Sequence, residues 1–301
     1  MNFDGVEKIA NAVLYEGYML YPYRPSSTKN RQRWNFGTLY PQTYAEAQRP
    51  PEASSLRAEC LVEAGPEARL SIRVRCLHLD PEETPQTAKS DNWVEGVERQ
   101  AEIEHTIRDL LPMPQVVALL LGSLIGKMTL SAKAMGDVVK LSIEFANVTP
   151  VECVTRDEAL PYAFSSAHLL LGIEGGRFVS MLDPPQEYQQ SVSECHNVGV
   201  YPVLVGEQDS RDKMLCSPII LYDYPQIAPE SAGDFFDGTE MDEMLSLRVL
   251  TMTDEEKAEM RSVDARSRHL LERTETLPAE HMMKLHGAIR GLRRVRQPED
   301  E

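Results

Sequence analysis

Four cations and four aromatics fall within sixteen residues near the start of this chain: Tyr21, Tyr23, Arg24, Lys29, Arg31, Arg33, Trp34 and Phe36. Three kinds of chemistry suit that mixture. Guanidinium and ammonium groups grip phosphates while aromatic faces stack bases, as in single-stranded nucleic-acid grooves. Arg, Tyr and Trp also dominate the energetics of protein interfaces. The third reading is a loop pinned to its own acidic body by salt bridges and ring packing. The chain's formal net charge of −16 speaks against nucleic acid. Tyr222-Asp223-Tyr224-Pro225 is a second anchor candidate, with Tyr222 and Tyr224 as interface aromatics; the competing reading is a strand end packed on the core.

The other chemistry-bearing groups are weaker. Cys195-His196, with Cys216 and His168 elsewhere, supplies a nucleophile and a base, the elements of an enzyme cleft. Neighbours in sequence point apart, however, and such sets are assembled in space. Residues 201 to 260 hold 14 acids and 4 bases, a local net of −10. Their core, Asp234 to Glu243, lacks the ligand spacing of a calcium loop. Thr239 with Glu240, Asp242 and Glu243 reads better as a helix N-terminus, where carboxylates complement the dipole. His281 and His286 are spaced poorly for one helical face, and His269 with Glu272 makes only a plausible helical pair. No Gly-rich phosphate loop and no nucleophile elbow occurs. No catalytic residue, metal ligand or cofactor is therefore assigned.

The elements that must position these groups follow from apolar periodicity. Phe3, Val6, Ile9, Ala10, Val13 and Leu14 make one helical stripe over residues 3 to 20. Pro22 and Pro25 end it, and residues 41 to 55 read as a loop. From Leu56 the period becomes two. Leu56 to Val62 and Leu70 to Cys76 read as a hairpin turning at Gly65-Pro66. Over Val97 to Ile107, Ala101, Ile103 and Ile107 fit a strand while the many Glu residues also suit a helix, and the strand is preferred. Lys127 to Ala134 and Val138 to Asn147 form a hairpin about Met135-Gly136-Asp137, with Val139, Leu141, Ile143 and Phe145 buried. A helix is expected over 156 to 165. His168 to Glu174 and Arg177 to Met181 read as a third hairpin, turning at Gly175-Gly176. A helix over 188 to 196 and strands over 200 to 205 and 218 to 221 follow. Thr253-Asp254-Glu255-Glu256 is a capping box opening a helix to about Thr274, and Pro278 opens another to about Leu292. The last four residues look frayed.

This pattern lacks strict strand–helix alternation. It predicts an α+β fold: a mainly antiparallel sheet or sandwich with an N-terminal helix, a body over 1–250 and a C-terminal helical arm over 251–301. The start of the chain has neither basic nor apolar signal regions, and the run Val116 to Ile125 is too short to span a bilayer. No membrane insertion is expected. Five scattered cysteines without a CxxC spacing suit free thiols in a reducing cytosol.

Three stretches resemble an uncharacterised bacterial family. The first runs from Ala12-Val13-Leu14-Tyr15-Glu16-Gly17-Tyr18 through Leu20-Tyr21-Pro22-Tyr23-Arg24, with Lys29-Asn30-Arg31 and Arg33-Trp34-Asn35-Phe36-Gly37. The second is Phe178-Val179-Ser180-Met181-Leu182-Asp183-Pro184-Pro185. The third is Ser217-Pro218-Ile219-Ile220-Leu221-Tyr222-Asp223-Tyr224-Pro225-Gln226-Ile227-Ala228-Pro229-Glu230-Ser231, continuing through the acidic tract to Arg248. The resemblance spans most of the chain. Members of that family are encoded beside the structural and maturation genes of oxygen-tolerant uptake nickel-iron hydrogenases. The resemblance implies an accessory or assembly role, with hydrogenase subunits or maturation factors as partners. It carries over no catalytic residue.

Overall fold

The computed structural model describes residues 1–25, 27–31, 33, 35–80, 82–83, 94–227, 233, 235–237 and 242–278, leaving aside the side chains of Thr28 and Arg31. Trp34, His281, His286, the helix expected after Pro278 and half of the acidic tract, Asp234 and Gly238 to Met241, lie outside these residues.

Among the described residues an antiparallel sheet of eight strands forms the body, with helices before and after it. The strands are β1 (Ser55–His78), β2 (Val97–Thr106), β3 (Gln115–Leu121), β4 (Leu124–Met135), β5 (Val138–Asn147), β6 (Ser165–Phe178), β7 (Tyr201–Leu204) and β8 (Lys213–Ser217). They are ordered β3-β4-β5-β1-β6-β8-β7, with β2 also on β1. The helices are α1 (Glu7–Leu14), α2 (Thr28–Arg31), α3 (Gln42–Ala47), α4 (Ile107–Leu110), α5 (Arg156–Ala159), α6 (Gln189–Ser193), α7 (Asp242–Leu250), α8 (Asp254–Val263) and α9 (Ala265–Glu275). The architecture is the α+β class expected. None of these helices is long and apolar enough to cross a membrane.

The β4–β5 hairpin forms where predicted, turning at Gly136 with φ +67°. That left-handed backbone suits glycine because no Cβ is strained. Val139, Leu141, Ile143 and Phe145 all face the core.

The other two predicted hairpins are not hairpins. β1 runs straight through Gly65-Pro66, and β6 runs straight through Gly175-Gly176. The reason is that the two strands pair with each other. Ala64 lies opposite Gly176 and Arg69 opposite Glu174, with a register shift between. Pro66 has no N–H for a ladder, and the shift leaves it without a pairing position. A Cβ on Gly176 would sit 2.8 Å from the Ala64 Cβ, so glycine lets the strands close. The break in one long strand thus meets the break in the other, and both continue. Beyond it, β1 exchanges β5 for β2 as its other neighbour.

Alternation then divides β1 between two cores. Leu70, Ile72, Val74 and Cys76 enter the main core, to which every strand contributes. Ser71, Arg73 and Arg75 face the N-terminal segment instead. Arg73 pairs with Glu7 at 3.1 Å, and Arg75 donates to Asn11 Oδ1 at 2.7 Å. Phe3, Val6, Ala10 and Val13 fill a second core on Leu170, Val203 and Leu215.

Smaller departures have local causes. Residues 42–47 form α3 inside the expected loop, since Gln-Thr-Tyr-Ala-Glu-Ala suits a helix and Tyr44 and Ala45 find a core. Residues 218 to 221 are not a strand; the strand precedes them as β8. The helix expected over 156 to 165 stops early, because Ser165 already belongs to β6.

The capping box at Thr253 and Glu256 is present, with both reciprocal bonds. The helix it opens breaks at Asp264, whose φ of −152° is extended. Asp264 instead caps α9: its Oδ1 accepts the Ser267 N–H at 2.7 Å, and its Oδ2 accepts the Tyr18 hydroxyl at 3.0 Å. α7, α8 and α9 share an apolar cluster with Leu14, Tyr18, Met19 and Tyr23. The C-terminal helices are therefore continuous with the body through the N-terminal segment. Asp264→Ala is expected to lower stability by about 2 kcal/mol, from a lost cap and the lost bond to the Tyr18 hydroxyl. Urea unfolding measures this. An unchanged midpoint would remove Asp264 as the joint.

Candidate partner-binding face

The chain leaving β8 is rich in apolar and aromatic residues, yet it is not buried. Asp223 explains why. Its Oδ2 accepts the Ser180 hydroxyl at 2.5 Å, and its Oδ1 accepts the Leu204 N–H at 2.8 Å. Tyr224 donates its N–H to the Leu204 carbonyl at 2.7 Å and its hydroxyl to the Ser210 carbonyl at 3.0 Å. These bonds hold Tyr224 at φ +55°, unusual for a residue bearing a Cβ. Ser217 Oγ accepts the Ile219 N–H at 3.1 Å. With the loop fixed at these points, Ile220 is left 76% exposed and Tyr222 60% exposed.

The same bonds gather other segments. Ser180 Oγ also accepts the Leu182 and Asp183 N–H groups, shaping the turn after β6 that leaves Leu182 exposed. Gly37, at φ +56°, lies so close to Pro218 that an added Cβ would sit 2.8 Å from the proline Cβ. Phe36 beside it is partly exposed. Tyr201 pairs with Ser217 in the ladder, and Val198 bridges to Arg57; both are exposed. A cleft of about 280 Å³ runs past Phe36, Tyr40, Arg156, Gly199 and Pro218. The result is an apolar and aromatic face on a hydrogen-bonded frame. Burial, then the nearby Asp223 and Asp209 carboxylates, raise the Tyr224 hydroxyl pKa, so this ring stays neutral.

Of the two tyrosines singled out here, Tyr222 is at the surface. Tyr224 is partly buried and packs on the main core. Tyr222 presents the ring, and Tyr224 positions it.

The N-terminal basic and aromatic residues are disposed differently. Tyr23 is fully buried and donates to the Phe235 carbonyl at 3.0 Å. Tyr21 meets Tyr23 edge-on and lies 5.3 Å under the Arg248 guanidinium. Arg24 pairs with Glu256 at 3.3 Å and Glu259 at 3.9 Å. Arg33 is buried, stacked over Tyr18 at 5.9 Å and donating to the Val94 carbonyl. Burial lowers its pKa to about 10. Asn30 ties the segment together, bonding the Leu20 N–H and the Leu20 and Arg24 carbonyls. Lys29 is exposed. Tyr23, Arg24 and Arg33 thus serve as an internal seam between the N-terminal segment and the C-terminal helices. The acidic helices supply the counter-charge, and a phosphate backbone would have to displace them.

The cysteine and histidine groups do not converge. His168 is fully buried beneath α1, opposite Arg75 in the ladder. Cys195 and His196 lie beside Glu59, in the other half of β1; Glu59 Oε2 accepts the His196 N–H at 2.7 Å. Cys216 is buried in the main core, where burial raises its thiol pKa, and burial raises that of Cys195 to about 11. Neither is an activated thiolate. Among the described residues no three His, Cys, Asp or Glu groups are placed to hold a metal ion.

Sequence reasoning missed Asp223 and Ser180 as the frame. Asp at the centre of an aromatic turn was visible, but its partners are 19 and 43 residues away. No family model matches this chain, and no curated protein matches it.

Proposed function

We propose that this chain is an accessory or assembly protein for a nickel-iron hydrogenase. It acts in the cytoplasm by binding a hydrogenase subunit or maturation factor. One observation carries this reading beyond the resemblance itself. The three stretches that bear the resemblance are far apart in sequence, yet one part of each meets the others, the first only through its end at Phe36-Gly37. Gly37 of the first packs on Pro218 of the third, and Ser180 of the second bonds Asp223 of the third.

That face has the properties of a docking surface. Its exposed side chains are large and apolar, while their backbone is already ordered. Binding then loses little conformational entropy. Tyr222 is the anchor, and Ile220, Leu182 and Phe36 are the other exposed apolar side chains these segments carry.

The test is purification of the tagged chain from its native cell, with mass spectrometry of what accompanies it. A hydrogenase subunit or maturation factor is expected with the wild type. Tyr222→Ala combined with Ile220→Ser should weaken that association at least tenfold, from an anchor worth about 2 kcal/mol. Both side chains are exposed, so the melting temperature should not move. Association that is absent, or that survives the double substitution, would sink the proposal.

A further inference from the structure

Among the described residues, three strands of the sheet have a neighbour on one side only: β2, β3 and β7. Proline, charge and covering loops are the usual means of keeping such an edge from joining another sheet. β7 carries Pro202, and its last residue, Leu204, is bound by Asp223 and by the Tyr224 N–H. β2 carries Glu98, Arg99, Glu102 and Glu104. β3 has none of these devices. It reads Gln-Val-Val-Ala-Leu-Leu-Leu, and no charged residue occurs from Leu110 to Gly126. Val117, Leu119 and Leu121 pack on the main core. Val116, Ala118 and Leu120 face out, with Leu120 74% and Val116 63% exposed.

The register fixes which backbone groups of β3 are open. Leu120 lies opposite Ile125 of β4. Ile125 uses its own groups elsewhere: its N–H goes to Thr149 Oγ1 at 3.0 Å, and its carbonyl accepts the Val148 N–H at 2.9 Å. Leu120 therefore points its N–H and carbonyl away from β4, and alternation does the same for Ala118 and Val116. Among the described residues, no N–H or carbonyl of these three has a hydrogen-bond partner.

We propose that β3 pairs antiparallel with β3 of a second copy of this chain, about a two-fold axis at Ala118. That rotation carries Val116 onto the place opposite Leu120 and Ala118 onto the place opposite itself. The open groups then meet one another. Ala118 exchanges both bonds with Ala118 of the second copy, and Val116 and Leu120 do so with Leu120 and Val116 of the second copy. The side chains agree: valine stands beside leucine on the open face, and the residue that meets itself is small and uncharged. Charge selects the same edge. Two copies of net charge −16 repel each other, and along β3 they approach without setting carboxylate against carboxylate. A strand of seven residues gives an edge of only about 24 Å, so the pair is weaker than one with the standard interface of roughly 1,600 Å². None of these residues belongs to the face around Tyr222, so the pairing stands apart from the hydrogenase reading.

The test is analytical ultracentrifugation of the full chain over about a hundredfold range of concentration, with amide hydrogen exchange at the two ends of that range. Wild type is expected to dimerise with a Kd on the order of 10–100 µM. The Val116, Ala118 and Leu120 amides should exchange about fivefold more slowly, or slower still, at the high end. Ala118→Lys and Ala118→Glu should each weaken the dimer about tenfold, because like charges then meet on the axis. An equimolar mixture of the two should recover dimer to within about threefold of wild type. A contact elsewhere on the chain would not respond in this way. Ala118 is exposed, so both variants should fold, and the exchange measurement on wild type needs neither. A monomer at about 1 mM, a dimer that Ala118→Lys leaves intact, a mixture no better than its parts, or exchange at the three amides that ignores concentration would each overturn the proposal.

Discussion

Asn147→Ala is expected to destabilise the chain by about 4 kcal/mol, measured by urea unfolding. The side chain is fully buried and fully bonded. Its Nδ2 donates to the carbonyls of Leu39 at 2.9 Å and Tyr162 at 2.8 Å, and its Oδ1 accepts the Thr149 N–H at 3.1 Å. Alanine removes one of the Leu39 carbonyl's two bonds, leaving it the Phe164 N–H, and takes this partner from the Tyr162 carbonyl and the Thr149 N–H, each of these two worth about 1–3 kcal/mol. Water entering the vacated space recovers part of this, which sets the total near the middle of the range. Asn147→Asp should be no better, since a carboxylate oxygen would face two carbonyls. The consequence reaches the proposed binding face. Leu39 exchanges backbone bonds with Phe164, and Phe36 and Gly37 precede it in the same segment. At a temperature where the variant is folded, partner affinity should therefore also fall. A stability loss under 1 kcal/mol would show that the amide is not the hub of these three segments.

Acidification between pH 6.5 and 4 should destabilise the chain, and His168 should supply about 3 kcal/mol of that loss. Burial, opposed by the bond to the Ser166 carbonyl and aided by Arg75, holds its imidazole down at about 4. The carbonyl can only accept, so Nδ1 carries the proton in the 2.8 Å bond and Nε2 is bare. Among the described residues Nε2 has no hydrogen-bond partner. An unfolded histidine titrates near about 6.5. Below that pH the unfolded chain takes up a proton that the folded chain refuses until about 4. Stability is thus complete above pH 6.5 and falls as pH drops through the window. Carboxylates held below their usual range, such as Glu59 and Glu158, weaken the fold only at lower pH. His78 is shifted down by burial as well, so the total slope is not the test. The test is His168→Leu, whose stability should fall by about 2 kcal/mol less than wild type between pH 6.5 and 5. Parallel curves would show that His168 takes up its proton at the same pH in the folded and the unfolded chain.

Several elements were legible because their signals are local. The β4–β5 hairpin follows from strict alternation around a glycine that needs positive φ. The capping box follows from two side chains three residues apart. The acids at Asp242 and Glu243 do open a helix, α7. The stripe from Phe3 to Leu14 buries one face, as its spacing requires.

Gly65-Pro66 and Gly175-Gly176 mark the limit of such reasoning. Both have the chemistry of turns, and alternation resumes on each side as it would across a hairpin. Whether such a pair folds a strand back or merely bends it depends on which strand lies beside it, and Ala64 opposite Gly176 decides that. The basic and aromatic residues near the N-terminus are a second case. Their types suit a surface anchor, a nucleic-acid groove or an internal seam equally. The acidic helices packed against Arg24, and the apolar cluster enclosing Tyr23, selected the seam. The exposed face around Tyr222 is the third. Residue types alone identified Tyr222 as a possible anchor. Its exposure depends on Asp223 reaching Ser180 and Leu204, and those bonds exist only once β6, β7 and β8 are side by side. Local sequence determined which residues have apolar, charged or turn-forming character. The pairing of strands distant in the chain decided which of them are buried, because a hydrogen bond or an apolar contact needs a partner that local sequence does not contain.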